Sequence, residues 1–399
     1  MNKIIHECEV CGNTELDLVL NLGAHPLCDD LKPINSQEST EFYPIEILFC
    51  GVCKTAHQKH QVPKEKLFPA SYHYRAQFTQ DVLNGMCDLV SSCKTLIGDL
   101  NNKKIVDVGC NDGSLLKFFK KEGAFTIGVE PTGAAKDAEK NIDAIYNKYF
   151  DCDVATKILK DYGFPDVITF TNVFAHIDDL NALISALKII MAPHTVLIIE
   201  NHYLGSVFEK NQFDTFYHEH PRTYSIGSFS YIADRLQMQI NNIEFPNRYG
   251  GNIRVTLSNN QALSIFKTLP NLIQSENSFK ELFLKMNAFI DDWKEKKKKE
   301  ILDLVEQHGP LYAKAFPGRA AILIKLLNLD VSHIAGVFER DFSMKIGHYL
   351  PGTMIPIIKD ETMNKINPPV VLNLAWHIKK EIHSFLRANG YQGQIIDII

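Results

Sequence analysis

The chain has 399 residues, 45% of them hydrophobic and 22% charged, with a formal net charge of -5 at neutral pH. That length exceeds one ordinary core and predicts two or three domains, while the acidic balance excludes a protein that holds nucleic acid mainly by charge. No apolar run reaches the roughly 18 residues a membrane span needs, and the polar first residues do not read as a signal peptide.

All nine cysteines fall before residue 153. Four are paired by spacing and five are scattered, which fits a reducing cytoplasm and one metal site better than a disulfide framework. Cys8 and Cys11 form one C-x-x-C, and Cys50 and Cys53 a second. Two such pairs supply four thiolates, the donor set of a closed, structural zinc site. A redox dithiol is the rival reading. Cys28 lies nearby without a partner at that spacing. Residues 16–22 and 42–49 read as strands, with residues 22–27 as a turn-rich crossing. So small a region has little core, so metal should contribute to its folding.

Residues 68–75, rich in aromatic and basic side chains, lead into a helix expected over 78–96. They read either as packing or as a lid over the next domain. Next comes a short apolar strand, then Asp107-Val108-Gly109-Cys110-Asn111-Asp112-Gly113 and a helix. This is the first strand-to-helix turn of a doubly wound sheet. Its D-x-G-x-x-x-G spacing keeps two glycines and places polar Asn111 and Asp112 where a pyrophosphate wants bare backbone. A zwitterionic amino-acid tail, as in S-adenosylmethionine (SAM), suits it better than a dinucleotide. Glu130 ends the next strand about twenty residues on, where a carboxylate accepts ribose hydroxyls. Asn172 sits at the carboxyl end of a further strand, with His176 just beyond it.

After another strand at 195–201 comes Tyr217-His218-Glu219-His220, followed by Tyr224 and Ser225. A phenol, a carboxylate and two imidazoles within four residues can orient one another and move a proton at neutral pH. A polar surface loop is the plain alternative. Residues 279–308 read as one long helix, whose lysine run at 294–299 reads as a solvated face. Strand-like segments at 334–338, 354–358 and 370–374 then alternate with helices. Arg254, Arg340, Lys345 and His348 are candidates for pyrophosphate contacts.

With these motifs in hand, the chain resembles the SAM-dependent C-methyltransferases that act on nucleotide-linked deoxysugars. The resemblance rests on the paired C-x-x-C, Leu22-Gly23-x-x-Pro26-Leu27, Asn111-Asp112-Gly113, and Phe213-Asp214-Thr215-x-Tyr217-His218-Glu219-His220. It continues through Gly250-Gly251-Asn252-Ile253-Arg254-Val255, Tyr349-Leu350-Pro351-Gly352-Thr353 and Trp376-His377-Ile378-Lys379. It implies an α/β protein of three parts: a zinc-binding module over 1–75, a class I SAM methyltransferase fold over 76–245, and a Rossmann-like nucleotide-sugar domain over 246–399. It implies methylation of carbon 3 of a 4-keto-6-deoxysugar through an enolate. By the same carry-over His220 is the base, Tyr217, Glu219 and His176 orient it or stabilise the enolate oxygen, and Tyr72 closes over the transfer site. Asp107, Gly109, Asn111, Gly113, Glu130 and Asn172 are expected to hold SAM. The expected partner is the nucleotide-linked sugar, with no nucleic acid or membrane, in a cytoplasmic monomer or small homo-oligomer. Methylation of a sugar hydroxyl and a non-catalytic scaffold are the alternatives.

One stretch departs from the family pattern. Where relatives tend to have G-A-A-A-K-G-N, this chain has Gly318-Arg319-Ala320-Ala321-Ile322-Leu323-Ile324. The bulky pair Ile322 and Leu323 does not let backbone approach a phosphate.

Overall fold

The computed structural model describes residues 3–69, 72, 74–248, 250–259, 263, 266 and 269–399. Ala70, Ser71 and His73 of the predicted connector lie outside the described residues. Among the described residues no helix is long and apolar enough to cross a membrane.

The N-terminal module is an antiparallel sheet of β1 (Leu16–Pro26), β2 (Phe42–Cys50) and β3 (Ala56–Gln58). The expected crossing at 22–27 is in fact strand. Pairing slips by one residue between Asn21 and Gly23, where Gly23 takes φ +82°, and then resumes as far as Pro26 opposite Phe42. A glycine in the left-handed region absorbs a bulge that ends many strands, so the ladder runs on. The fourth strand of this sheet comes from far downstream: Arg222 and Thr223 pair with His57 and Ala56. The residues just after the Tyr217–His220 cluster are thus built into the zinc module.

The central part follows an α/β alternation: α1 (Gln80–Ile97), β4 (Lys104–Val108), α2 (Ser114–Lys121), β5 (Phe125–Val129), β6 (Ala144–Tyr146), α3 (Cys152–Tyr162), β7 (Val167–Thr171), α4 (Leu180–Ile190), β8 (Val196–His202), α5 (Ile226–Leu236), β9 (Gln239–Glu244) and β10 (Asn252–Ser258). The sheet order is β9-β10-β8-β7-β4-β5-β6, with β10 antiparallel to both neighbours. The inner strands are runs of Val, Ile, Leu and Phe, buried because helices cover both faces. Helix starts are fixed locally. Asp151 and Asp179 accept the Val154 and Ala182 amides, and Ser225 with Ser228 closes a capping box on α5.

The C-terminal part opens with α6 (Phe279–His308), which buries Phe279, Phe283, Met286, Ile290 and Trp293 at helical spacing. A wholly parallel sheet follows, from β11 (Leu311–Lys314), α7 (Ala320–Leu326), β12 (Ile334–Glu339), β13 (Ile357–Lys359), β14 (Val370–Asn373), α8 (Lys379–Ala388) and β15 (Gln394–Asp397), in the order β13-β12-β11-β14-β15. Ile322 and Leu323 are wholly buried in α7. They are part of the core. One hydrophobic cluster joins Ile45, Ile47 and Phe49 of the zinc module to Phe213, Phe283 and the α7 side chains. All three parts therefore share a core around the stretch that precedes the histidine cluster.

Candidate active site

The two C-x-x-C turns bring their four sulfurs within 4.8 Å of one another. Cys8 and Cys53 Sγ are 3.3 Å apart, and Cys11 and Cys50 Sγ 3.6 Å. A tetrahedral zinc with Zn–S bonds of about 2.3 Å needs sulfurs about 3.8 Å apart, so the set fits the ion. His57 Nε2 lies 3.3 Å from Cys8 Sγ and Asn13 Nδ2 3.6 Å from Cys50 Sγ, partners outside the first ring of ligands. Four thiolates leave no open position, so the site is structural. Cys28 is buried elsewhere, packed beside Gly318, where an added Cβ would meet the cysteine's own Cβ at 3.2 Å.

The knuckle is tied to the centre of the molecule. Arg222 is fully buried and ion-pairs with Glu9 of the first knuckle; it also donates to the Ile177 carbonyl. Ser225 Oγ donates to the Cys53 carbonyl at 3.0 Å, and Arg235 of α5 to the Glu9 carbonyl at 3.1 Å.

A cavity of about 450 Å³ opens at the carboxyl ends of the central strands. Its walls include Asp107, Gly109, Asn111, Glu130 and Asn172. They also include Tyr72, His176, Tyr217, Glu219 and His220, so the two predicted groups share one space. Gly113 stands behind it as the αL residue that starts α2. The glycine turn is shaped for close approach: Gly109 takes φ +72°, and a Cβ there meets Val173 Cγ2 at 2.5 Å. Glu130 accepts the Asn111 and Thr132 amides at 2.9 and 2.8 Å, one on each oxygen. Each carboxylate oxygen keeps a lone pair for a ribose hydroxyl. Asp107 is buried against Thr169 Oγ1 at 2.7 Å, and burial pushes its carboxyl up to about 7. These residues fit SAM.

Asn111 and Asp112 have a use the spacing did not reveal. Asn111 Oδ1 accepts the Ala76 amide at 3.0 Å, its Nδ2 donates to the Tyr74 carbonyl, and Asp112 accepts the Gln77 amide. Both side chains tie the connector down over the cofactor turn. Arg254 is also elsewhere than expected. It is buried, pairing with Glu200 at 2.7 Å and Glu244 at 3.1 Å, so it belongs to the sheet rather than to a pyrophosphate. Arg340 pairs with Glu381, Lys345 with the Phe316 carbonyl, and His348 with the Lys345 carbonyl.

The histidine cluster is packed ring on ring. His220 lies 4.3 Å from Tyr217, 4.8 Å from His176 and 5.3 Å from His202, between ring centroids. His220 Nδ1 is 2.9 Å from the Thr215 carbonyl, and His176 Nδ1 is 2.7 Å from the Glu219 carbonyl. A carbonyl only accepts, so each Nδ1 carries the proton and each Nε2 is left as the ring's acceptor. Burial holds His220 well below the usual histidine range, with His176 and His202 adding to the effect, and lowers His176 to about 4. Both rings are neutral at physiological pH. Burial, reinforced by Asp29, pushes the Glu219 carboxyl well up, and Tyr72 donates to it at 3.3 Å. His218 points away, its Nε2 on the Tyr43 carbonyl of β2 at 3.0 Å. Tyr224 and Ser225 are likewise structural, one receiving Arg222 Nε and the other capping α5.

His202 was missed. It closes β8 on the same rim as Asn172, and the strand-end rule that singled out Asn172 applies to it equally. Arg319 was missed too, since only the fold brings it to this region.

Three family models match in succession: a zinc binding domain over residues 8–68, a methyltransferase domain over 78–240 and a C-methyltransferase C-terminal domain over 247–396. The chain belongs to the SAM-dependent C-methyltransferases with an N-terminal zinc-binding module. C-methyltransferase NovU of Streptomyces niveus is 26% identical over 388 residues, covering 95% of this chain and 91% of that protein. Among solved structures, the magnesium protoporphyrin IX methyltransferase of Synechocystis PCC 6803 with bound SAM covers 44% of this chain and 79% of its own, at 14% identity and TM-score 0.33. The PH0226 protein of Pyrococcus horikoshii covers 49% of this chain and 97% of its own, at 12% identity and TM-score 0.35. This C-methyltransferase takes SAM as cofactor and zinc as its structural metal.

Proposed function

We propose that this C-methyltransferase methylates carbon 3 of a nucleotide-linked 4-keto-6-deoxysugar. The supporting observation is the neutral imidazole of His220, its Nδ1 committed to the Thr215 carbonyl, in the same cavity as the cofactor turn. SAM, when bound, supplies an electrophilic sulfonium methyl. Asp107, Gly109, Asn111, Glu130 and Asn172 form its binding surface, and Gly113 shapes the turn behind them.

His220 Nε2 takes the proton from the carbon beside the ketone. Burial keeps this ring unprotonated, so the Nε2 lone pair is free to accept a proton. Tyr217 and the raised Glu219 carboxyl are donors that meet the developing enolate oxygen. Tyr72 and His176 fix Glu219 from either side, one at its carboxyl and one at its carbonyl. The likeness to C-methyltransferase NovU supports transfer of the methyl group to carbon.

Purified protein, SAM and a panel of nucleotide-linked 4-keto-6-deoxysugars are incubated and the products weighed. A gain of one methylene mass, placed on carbon 3 by NMR, is expected. Without SAM, the carbon 3 proton should exchange with deuterium from solvent. His220→Asn should lose about 10²–10⁴-fold in both reactions and keep its SAM affinity. Full activity in that variant removes His220 as base; an oxygen-linked methyl removes the enolate.

A further inference from the structure

We propose that Arg319 is a positioning residue for His220, acting from the C-terminal part through the turn Phe213–Thr215. The proposal rests on the reading of His220 as the base. Arg319 stands at the head of α7 and is only 8% exposed. Its Nε pairs with Asp214 Oδ2 at 3.3 Å, and its Nη1 donates to Thr215 Oγ1 at 3.0 Å. The guanidinium lies over the Trp376 ring at 5.4 Å, and Trp376 Nε1 donates to the same Asp214 oxygen at 3.0 Å. Two residues of the C-terminal part therefore grip one short turn.

That turn carries the group that sets the base. Thr215 receives Arg319 at its hydroxyl and holds His220 Nδ1 at its carbonyl. A chain of two hydrogen bonds runs from the guanidinium to the imidazole. A shift of the turn by one ångström breaks the second bond, lets the ring proton move to Nε2, and removes the acceptor the reaction needs. A planar fork suits this task, because two donors fix Asp214 and Thr215 at once, where an ammonium on a flexible stem fixes one.

The guanidinium also acts through its charge. The groups facing His220 are His176 from the turn that follows β7, His202 from the end of β8, Tyr217 and Glu219 from its own loop, and Arg319. Arg319 is the permanent cation of this set and disfavours a second positive charge on the ring.

The test reads the ring directly, on full-length, zinc-loaded protein labelled with ¹⁵N-histidine. The His220 signal is identified by its loss in His220→Gln. The wild-type ring should be the Nδ1-protonated tautomer throughout the neutral range. Arg319→Met combined with Asp214→Asn removes the fork without stranding a carboxylate. It should populate the Nε2-protonated tautomer, move the titration up, and lower kcat about 10- to 100-fold with KM little changed. Thr215→Val removes only the hydroxyl that Arg319 holds, and should shift the tautomer while the titration stays low. Arg319→Lys should keep the low titration and lose part of kcat. An unchanged tautomer and titration in the double variant overturn the proposal, as does an unchanged tautomer in Thr215→Val. The NMR measurement needs no substrate, so it stands or falls apart from the sugar assignment.

Discussion

Arg222→Met should destabilise the protein through a group on the zinc knuckle 213 positions away. Arg222 is fully buried, and Glu9, whose side chain is 11% exposed, is its charge partner. Burial opposes ionisation of Glu9, yet Arg222 and Lys3 beside it pull its carboxyl down from 4.5 to about 2. A carboxyl lowered that far on folding contributes about 3 kcal/mol at neutral pH. Loss of one partner from a buried pair costs a comparable amount, about 3–5 kcal/mol. The sign follows from the lowered value. The contribution is fully present above the unfolded carboxyl's pKa near 4.5 and is lost as pH falls from there through about 2. Urea unfolding of zinc-loaded protein at pH 7, followed by circular dichroism, should show about 3 kcal/mol less stability in Arg222→Met. Glu9→Gln with Arg222→Met should recover most of it, because no charge is then left buried alone. If the double variant is as unstable as the single, or the single loses less than about 1 kcal/mol, the pair is not what holds the knuckle to the centre.

The other predictions test the cofactor turn. Gly109→Ala places a Cβ 2.5 Å from Val173 on a backbone of φ +72°, and should cost about 1–3 kcal/mol and weaken SAM at least about tenfold by calorimetry. Unchanged SAM affinity would remove the close-approach role of that glycine. The Asp107 carboxyl, raised by burial to about 7, is a group whose ionisation folding opposes, so stability falls as pH rises from about 4 to 7. Asp107→Asn should therefore raise the thermal midpoint at pH 8 more than at pH 5.5; an equal change at both would refute the buried-charge argument.

What was legible in the sequence was local. The C-x-x-C pairs, the D-x-G-x-x-x-G turn and the helix over Phe279–His308 each need only a few residues at a fixed period or spacing. Where readings failed, the deciding contact came from far along the chain or from a single backbone angle. Gly23 in the left-handed region lets β1 run through a segment that looks like a turn. Arg254 looks like a free cation beside a glycine pair, and its partners Glu200 and Glu244 are known only once β8, β9 and β10 are adjacent. Asn111 lines the cavity as expected, but nothing in its spacing or that of Asp112 shows the connector amides that both side chains also hold.

The same reasoning accounts for why the chain needs all three parts. The segment from Phe213 to Ser225 is held from three directions. Arg222 and Thr223 extend the zinc module's sheet, Ser225 caps a helix of the central fold, and Asp214 and Thr215 are gripped by Arg319 and Trp376. His220 belongs to no regular element of its own and lies between the turn Phe213–Thr215 and the strand residues Arg222 and Thr223. A loop orders a ring to hydrogen-bond precision only when its ends are fixed, since each free residue costs about 1–2 kcal/mol of backbone entropy to hold. The zinc module and the C-terminal part meet that cost from outside the cavity, which is why neither needs to contribute the base itself.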